Sequence, residues 1–182
     1  MPKRIYLAGP DVFLRDALTV AARKKDICRQ FGFEGLFPLS QDDAVEAKAH
    51  IIFEANCKLM QSADIGVFNL TPFRGPSADC GTAFELGYMF ALGKSVHGYS
   101  GTDLNYIKRV ASSDGPLLKQ NQTMIDKSGL LVEDFQRFDN LMLSESITKA
   151  GGIFIAGSHA SQHDLSAMKA FKNCIQTVAD TD

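Results

Sequence analysis

The chain has 182 residues, 45% of them hydrophobic and 22% charged, and its 19 Lys or Arg against 21 Asp or Glu leave a net charge of −2. That apolar content at so low a net charge excludes intrinsic disorder. A pI near 6.1 excludes any general attraction to nucleic-acid polymers or anionic membranes.

No apolar run reaches the roughly 20 residues of a membrane span. The basic start and short apolar run of the N-terminus are followed too soon by Asp11 to make a signal peptide. The four cysteines, Cys28, Cys57, Cys80 and Cys174, are dispersed without a CxxC pair. They read as reduced thiols of a cytoplasmic protein, with no metal site and no cofactor expected. One domain over residues 1–182 is expected.

In chain order, Ile5 to Ala8 is a buried strand ended by Gly9-Pro10. A helix from Ala17 to Phe31 carries Leu18, Ala21, Ala22, Ile27 and Phe31 at helical spacing and stops at Gly32. Glu34 to Pro38 is a second strand. Asp43 to Ser62 is helical, with Ala47, Ile51, Ala55 and Leu59 recurring every four residues. Ile65 to Leu70 is a third strand, and Thr71 to Ala78 a loop. Cys80 to Leu92 is helical, with Gly93 as its C-terminal glycine. Ser95 to Tyr99 is a fourth strand. Residues 101–150 are less regular, Ile153 to Ala156 is a fifth strand, and Ser158 to Val178 a final amphipathic helix.

Strands alternating with helices imply right-handed βαβ units. The expected fold is a three-layer α/β sandwich with a five-stranded parallel sheet in the flavodoxin-like order 2-1-3-4-5. Ligands in such sheets bind beyond the carboxyl ends of the strands, where the order reverses. That directs attention to Gly9–Phe13, Asn69–Asp79 and the start of the next helix.

That helix is unusual in its charge. The fourteen residues CGTAFELGYMFALG from Cys80 to Gly93 carry one charged side chain, Glu85, where average composition would place about three. So apolar a helix is expected to be buried on most of its circumference. Ala83, Leu86, Gly87 and Phe90 should share one face, with Glu85 nearly opposite, flanked by Tyr88 and Met89. A carboxylate there is paired, or lines a ligand cavity. The helix N-terminus favours its ionised form and apolar neighbours raise its pKa. It is either a helix-end charge or a nucleophile. Asp79 is a plain N-cap or a ligand contact at the same helix mouth.

Other patterns are weaker. Neither a Walker A sequence nor GxGxxG follows the first strand. His159 and His163, four apart, read as a surface helix face. Arg74 reads as a solvated loop arginine able to meet a phosphate or carboxylate. No serine elbow accompanies the four histidines.

Three segments carry a resemblance. They are Ile5-Tyr6-Leu7-Ala8-Gly9-Pro10-Asp11-Val12-Phe13, Ala63 to Gly75, and Asp79-Cys80-Gly81-Thr82-Ala83-Phe84-Glu85-Leu86-Gly87-Tyr88. With Phe138-Asp139-Asn140-Leu141-Met142-Leu143, they resemble the nucleoside 2-deoxyribosyltransferases. The resemblance implies cleavage of the N-glycosidic bond of a 2′-deoxynucleoside and transfer of the deoxyribosyl group to another free nucleobase. It makes Glu85 the nucleophile of a covalent glycosyl-enzyme and Tyr6 the hydroxyl that orients it. Asp79 would hold a deoxyribose hydroxyl. Asn140, with Met142 beside it, would reach the sugar's 5′-hydroxyl from a neighbouring subunit, which implies a homo-oligomer. Gly9 and Phe13 would line the base and sugar pocket. Asn56 stands where some members carry an Asp that protonates the leaving base; an amide contacts a purine edge but is no general acid. Gln41 is a further candidate base contact. Asn56 and the 71–78 loop lean towards purines.

Phe13, Phe73, Phe84, Tyr88 and Met89 are available for stacking on a base, or else belong to the core. The main alternative is an N-glycoside hydrolase using the same Glu85. Asp11, which would repel a phosphate, speaks against phosphorylated substrates. A phosphoribohydrolase with paired glycines before the Gly-Thr fits less well, and a nucleoside-binding sensor would not need the unpaired carboxylate.

Overall fold

Alternation with period two along β1 (Arg4–Ala8) sends Ile5 and Leu7 into one hydrophobic cluster and Tyr6 and Ala8 into the other. The computed structural model, which describes residues 1–39, 48–158 and 164–181, builds both cores around that alternation. β2 (Glu34–Leu36), β3 (Ile65–Asn69) and β4 (Ser95–Ser100) join β1, and the last strand to join is β8 (Phe154–Ala156). All four pairings are parallel, in the order β2-β1-β3-β4-β8. With β8 as fifth strand of the sheet, this is the expected order 2-1-3-4-5.

Helices α1 (Ala17–Gln30) and α6 (Met168–Thr181) cover the Ile5–Leu7 face, with Ala21, Cys28, Phe171, Cys174 and Ile175 in the cluster. The opposite face packs against α2 (Ala49–Ser62), α3 (Cys80–Ala91) and α5 (Leu141–Lys149) through Met60, Leu86, Met89 and Ile147. Each of these fully buried side chains contributes roughly 1.5–3 kcal/mol by leaving water. Among the described residues no helix is long and apolar enough to cross a membrane.

Several expectations are corrected. The stretch 101–150 holds α4 (Tyr106–Asp114), α5 and a three-stranded antiparallel meander. Its strands are β5 (Leu118–Gln120), β6 (Thr123–Ile125) and β7 (Leu131–Val132). These strands are too short for a readable period. The final helix begins at Met168, ten residues later than expected, after a turn at Leu165 and Ser166. His159 and His163 lie outside the described residues, as do Gln41 and the expected start of the second helix.

The helix phases also differ. In α1 the buried side is Ala17, Val20, Ala21, Lys24 and Cys28, while Leu18 is 42% exposed. In α2, Ile51 and Ala55 face solvent and Met60 is the buried residue. Periodicity reports that a helix is amphipathic; the sheet it docks on selects the phase.

Candidate active site

Tyr6 lies between Leu36 on β2 and Gly66 on β3 in the sheet register. Its ring is completely buried, and its hydroxyl donates to Glu85 Oε1 across 2.6 Å. Glu85 comes from the second turn of α3. Asp79 caps that helix: its Oδ2 accepts from the Thr82 N–H at 2.9 Å and from the Thr82 hydroxyl at 3.1 Å. A short polar side chain with extended backbone, placed before an apolar run, is what an N-cap requires. The sequence therefore starts α3 so that Glu85 meets Tyr6.

The orientation of α3 corrects the expected one. Thr82, Leu86 and Met89 form its buried stripe, and half-buried Glu85 sits beside this stripe rather than opposite it. Met89 is core and offers no ring-facing surface to a base. The helix is not buried all round: Cys80, Gly81, Phe84, Gly87 and Ala91 are exposed. Phe84, 52% exposed, touches Phe53 of α2 and Tyr88 at 6.0 Å between ring centroids.

Burial pushes the Glu85 carboxyl up to about 7; the Tyr6 hydrogen bond opposes this and the Asp79 charge adds to it. Burial, and then the Glu85 charge, raises the Tyr6 phenol, which stays protonated as the donor. The result is a poorly solvated carboxylate with one oxygen held by a residue of β1 where it pairs with β3, the point at which the strand order reverses.

The strand that carries Tyr6 runs into a 3-10 turn, Pro10–Phe13. A Cβ on Gly9 would collide with Asn69 and the Asp11 carboxylate, so only glycine allows this approach. Phe13 is 56% exposed and lies flat on Phe73, with centroids 5.1 Å apart and planes 9° from parallel. The Arg74 guanidinium stands over both rings, 5.4 and 4.7 Å from their centroids. Arg74 is thus solvent-exposed, as expected, but stacked.

Asp11 does not face a ligand. Its carboxylate is 1% exposed and ion-paired with Lys24, equally buried. Its negative charge is therefore neutralised inside the fold, and the argument from Asp11 against phosphorylated substrates fails. Lys24 Nζ also donates to the Tyr99 hydroxyl at 2.6 Å. Asn69 Nδ2 donates to Asp11 Oδ1 at 3.3 Å and to the Leu165 carbonyl at 2.7 Å, while its Oδ1 accepts from Thr71.

Asn56 is half-buried on α2. Asn140 is the N-cap of α5: Oδ1 accepts from Met142 N–H at 3.0 Å and Nδ2 donates to Glu133 at 2.9 Å. Met142 is 67% exposed. The buried Asp139 carboxylate, paired with Arg109 at 2.9 Å, accepts from Ala78 N–H at 3.0 Å and Asn140 N–H at 2.8 Å. It thereby joins the residue before Asp79 to Asn140. Tyr6, Glu85 and Asp79 are brought together directly; Asn140 is tied to them through this contact. Sequence reading missed Lys24, Asn69, Glu133 and Asp139. Asn69 and Asp139 stand at the end of a strand and at the mouth of a helix, a readable signal. Lys24 has none, lying in the charged run Arg23-Lys24-Lys25-Asp26.

A cavity of about 240 Å³ lined by Gly101, Ala156, Gly157, Asp164, Ala167 and Asn173 contains none of these residues. Among the described residues no cluster of His, Cys, Asp or Glu has the makings of a metal site.

With this geometry, similarity to known proteins is informative. An uncharacterized protein of Schizosaccharomyces pombe is 35% identical over 192 residues, covering 96% of this chain and 88% of the yeast protein. A 2-desoxiribosyltransferase from Leishmania mexicana superposes with a TM-score of 0.63 at 32% identity, over 78% of this chain and 85% of that one. A conserved protein from Enterococcus faecalis V583 shares the fold, with a TM-score of 0.56 at 22% identity over 97% of this chain and 99% of that one. A sequence model of the nucleoside 2-deoxyribosyltransferase family matches residues 5–142, the stretch that holds Tyr6, Asp79, Glu85 and Asn140. The chain belongs to the nucleoside 2-deoxyribosyltransferase family.

Proposed function

We propose that the protein transfers the 2-deoxyribosyl group between nucleobases of 2′-deoxynucleosides, by double displacement through Glu85. The observation that carries this reading is the Tyr6–Glu85 hydrogen bond in a poorly solvated site. The oxygen not held by Tyr6 attacks C1′, and the C1′–N bond breaks with its electron pair leaving on the base, which takes up a proton. An acceptor base nitrogen then attacks C1′, Glu85 leaves as carboxylate, and the acceptor loses its proton. Two inversions give retention. The developing oxocarbenium charge is stabilised by the adjacent anion, most strongly where water is scarce. Asp79 and Asn140 hold the sugar hydroxyls, Gly9 and Phe13 shape the base pocket, and Asn56 contacts the base without acting as its acid. No cofactor is required.

We further propose a homo-oligomer in which Asn140 and Met142 serve a neighbouring site. Ile51, Ile52, Phe53 and Phe84 are exposed on α2 and α3 of one chain, an apolar surface suited to a second copy. Four free thiols suit a reducing, cytoplasmic setting.

The test is incubation with deoxyinosine and free adenine. Deoxyadenosine is the expected product, a glycosyl adduct on Glu85 is expected by mass spectrometry, and Glu85→Ala should abolish exchange while folding normally. An Ala variant that still exchanges bases at the wild-type rate would sink the reading. The second reading, N-glycoside hydrolysis, uses water as acceptor. With Asp11 turned inward, 5′-monophosphates enter that comparison. Free base and deoxyribose, or its phosphate, without deoxyadenosine, would favour it.

A further inference from the structure

The Lys24–Asp11 pair is a buried pair of charges that the proposed chemistry does not use. Both side chains are 1% exposed. A buried ion pair is often no more stabilising than apolar residues of the same volume, because desolvation offsets the attraction. Its placement is more telling than its energy. Asp11 lies in the middle of the Pro10–Phe13 turn, which is closed by backbone hydrogen bonds from Val12 to Gly9 and from Leu14 to Asp11. The side-chain hydrogen bonds from this turn to the body of the protein run through the Asp11 carboxylate, to Lys24 on α1 and Asn69 at the end of β3, while Val12 packs against the core cluster. Lys24 is itself anchored on the Tyr99 hydroxyl of β4, and its ammonium lies 5.2 and 5.1 Å from the Tyr99 and Phe171 ring centroids. Two residues beyond Asp11, Phe13 leans on Phe73 with more than half its surface exposed.

We propose that Lys24 is a positioning residue for the nucleobase. Through Asp11 it holds the Gly9–Phe13 turn against β3, so that the stacked Phe13–Phe73 pair forms an aromatic wall of the base pocket. The ring centroids are 5.1 Å apart. A base needs about 7 Å to slip between two rings at the ordinary stacking spacing, so it must lie on the outer face of the pair. The wall is then only as well placed as the turn that carries it. Lys24 never touches substrate: it acts on affinity for the base and leaves the Glu85 chemistry intact. This inference rests on the nucleoside reading above, and its test separates the two.

The charge-balanced variant K24M/D11N avoids the unpaired buried charge that either single change would leave, and its melting temperature establishes that it is folded. Amide hydrogen exchange at residues 11–14, measured on the whole protein without ligand, is expected to accelerate about tenfold or more in this variant. In the deoxyinosine–adenine assay, KM for both substrates is expected to rise about tenfold while kcat changes by less than about threefold. The acid limb of the pH profile should not move. Phe13→Ala should raise KM similarly in the wild type and by less than about twofold in K24M/D11N, because the wall is already misplaced. A folded K24M/D11N with wild-type exchange at residues 11–14, or with unchanged KM, overturns the proposal, as do additive effects with Phe13→Ala. If the wild type itself turns over neither substrate, the nucleoside reading fails, and the hydrogen-exchange comparison still decides whether Lys24 holds the turn.

Discussion

Tyr6 and Glu85 lie 79 positions apart in the chain, yet the phenol donates to the carboxylate across 2.6 Å. The donor is wholly buried and the acceptor half-buried, so the bond is shielded from competing water. Glu85 thus experiences two opposed influences. Burial favours its neutral form and Tyr6 favours its charged form, with burial the larger.

The first prediction concerns pH. A nucleophilic Glu85 must be ionised, so kcat/KM should rise with pH through a limb centred near 7 and level off above it. Tyr6→Phe removes the contact that favours the anion, so the limb should move to higher pH. The lost charge-assisted bond should also lower kcat/KM about 10- to 100-fold. A limb that stays at pH 4 to 5 in the wild type would show a well-solvated Glu85.

The same carboxyl should appear in folding. Its folded pKa, about 7, lies above its ordinary value of 4.5. The native state therefore holds the proton more tightly than the unfolded chain. The associated stability is fully present below 4.5 and is lost as pH rises through 7. Glu85→Gln never ionises, so in urea titrations it should match the wild type near pH 4. At pH 8 it should exceed the wild type by about 3 kcal/mol. Equal differences at both pH values would contradict the desolvation.

Asp79 has two roles that can be separated. Asp79→Ala removes the N-cap of α3 and should cost about 1 kcal/mol of stability. Asp79→Ser restores a cap and should recover most of that stability. Both variants should lose exchange activity, because neither keeps the carboxylate proposed to meet the sugar. Recovery of activity in the serine variant would reduce Asp79 to a cap.

Phe53 and Phe84 test the assembly. They touch each other at 6.0 Å on the exposed side of α2 and α3. Replacing both with Ser should cost a lone chain under about 0.5 kcal/mol, as surface changes do. In sedimentation the double variant should shift to monomer, with deoxyribosyl exchange lost in parallel, because the proposed Asn140 contact comes from the partner. A wild-type protein that sediments as a monomer at assay concentration would overturn the oligomer reading.

How much of this could be read before folding varies by residue. The strands around Tyr6, Val67 and Val96 and the helix opened by Asp79 are local signals: runs, periods and a capping residue act over a few positions. They determined the α/β alternation, the parallel sheet and the mouth of α3, and the single charge between Cys80 and Gly93 singled out Glu85. The short strands of the 118–132 meander gave no such signal.

What only the tertiary structure decided is which side of each helix faces inward. In Arg23-Lys24-Lys25-Asp26 the four residues look alike as solvated charges, and helical rotation by about 100° per residue turns Lys24 alone into the core. There it neutralises Asp11, which the sequence presents as a free acid in a binding loop. The Tyr6–Glu85 bond is of the same kind. Each residue type and each element was legible, but a contact between β1 and α3 exists only once both are docked on the sheet.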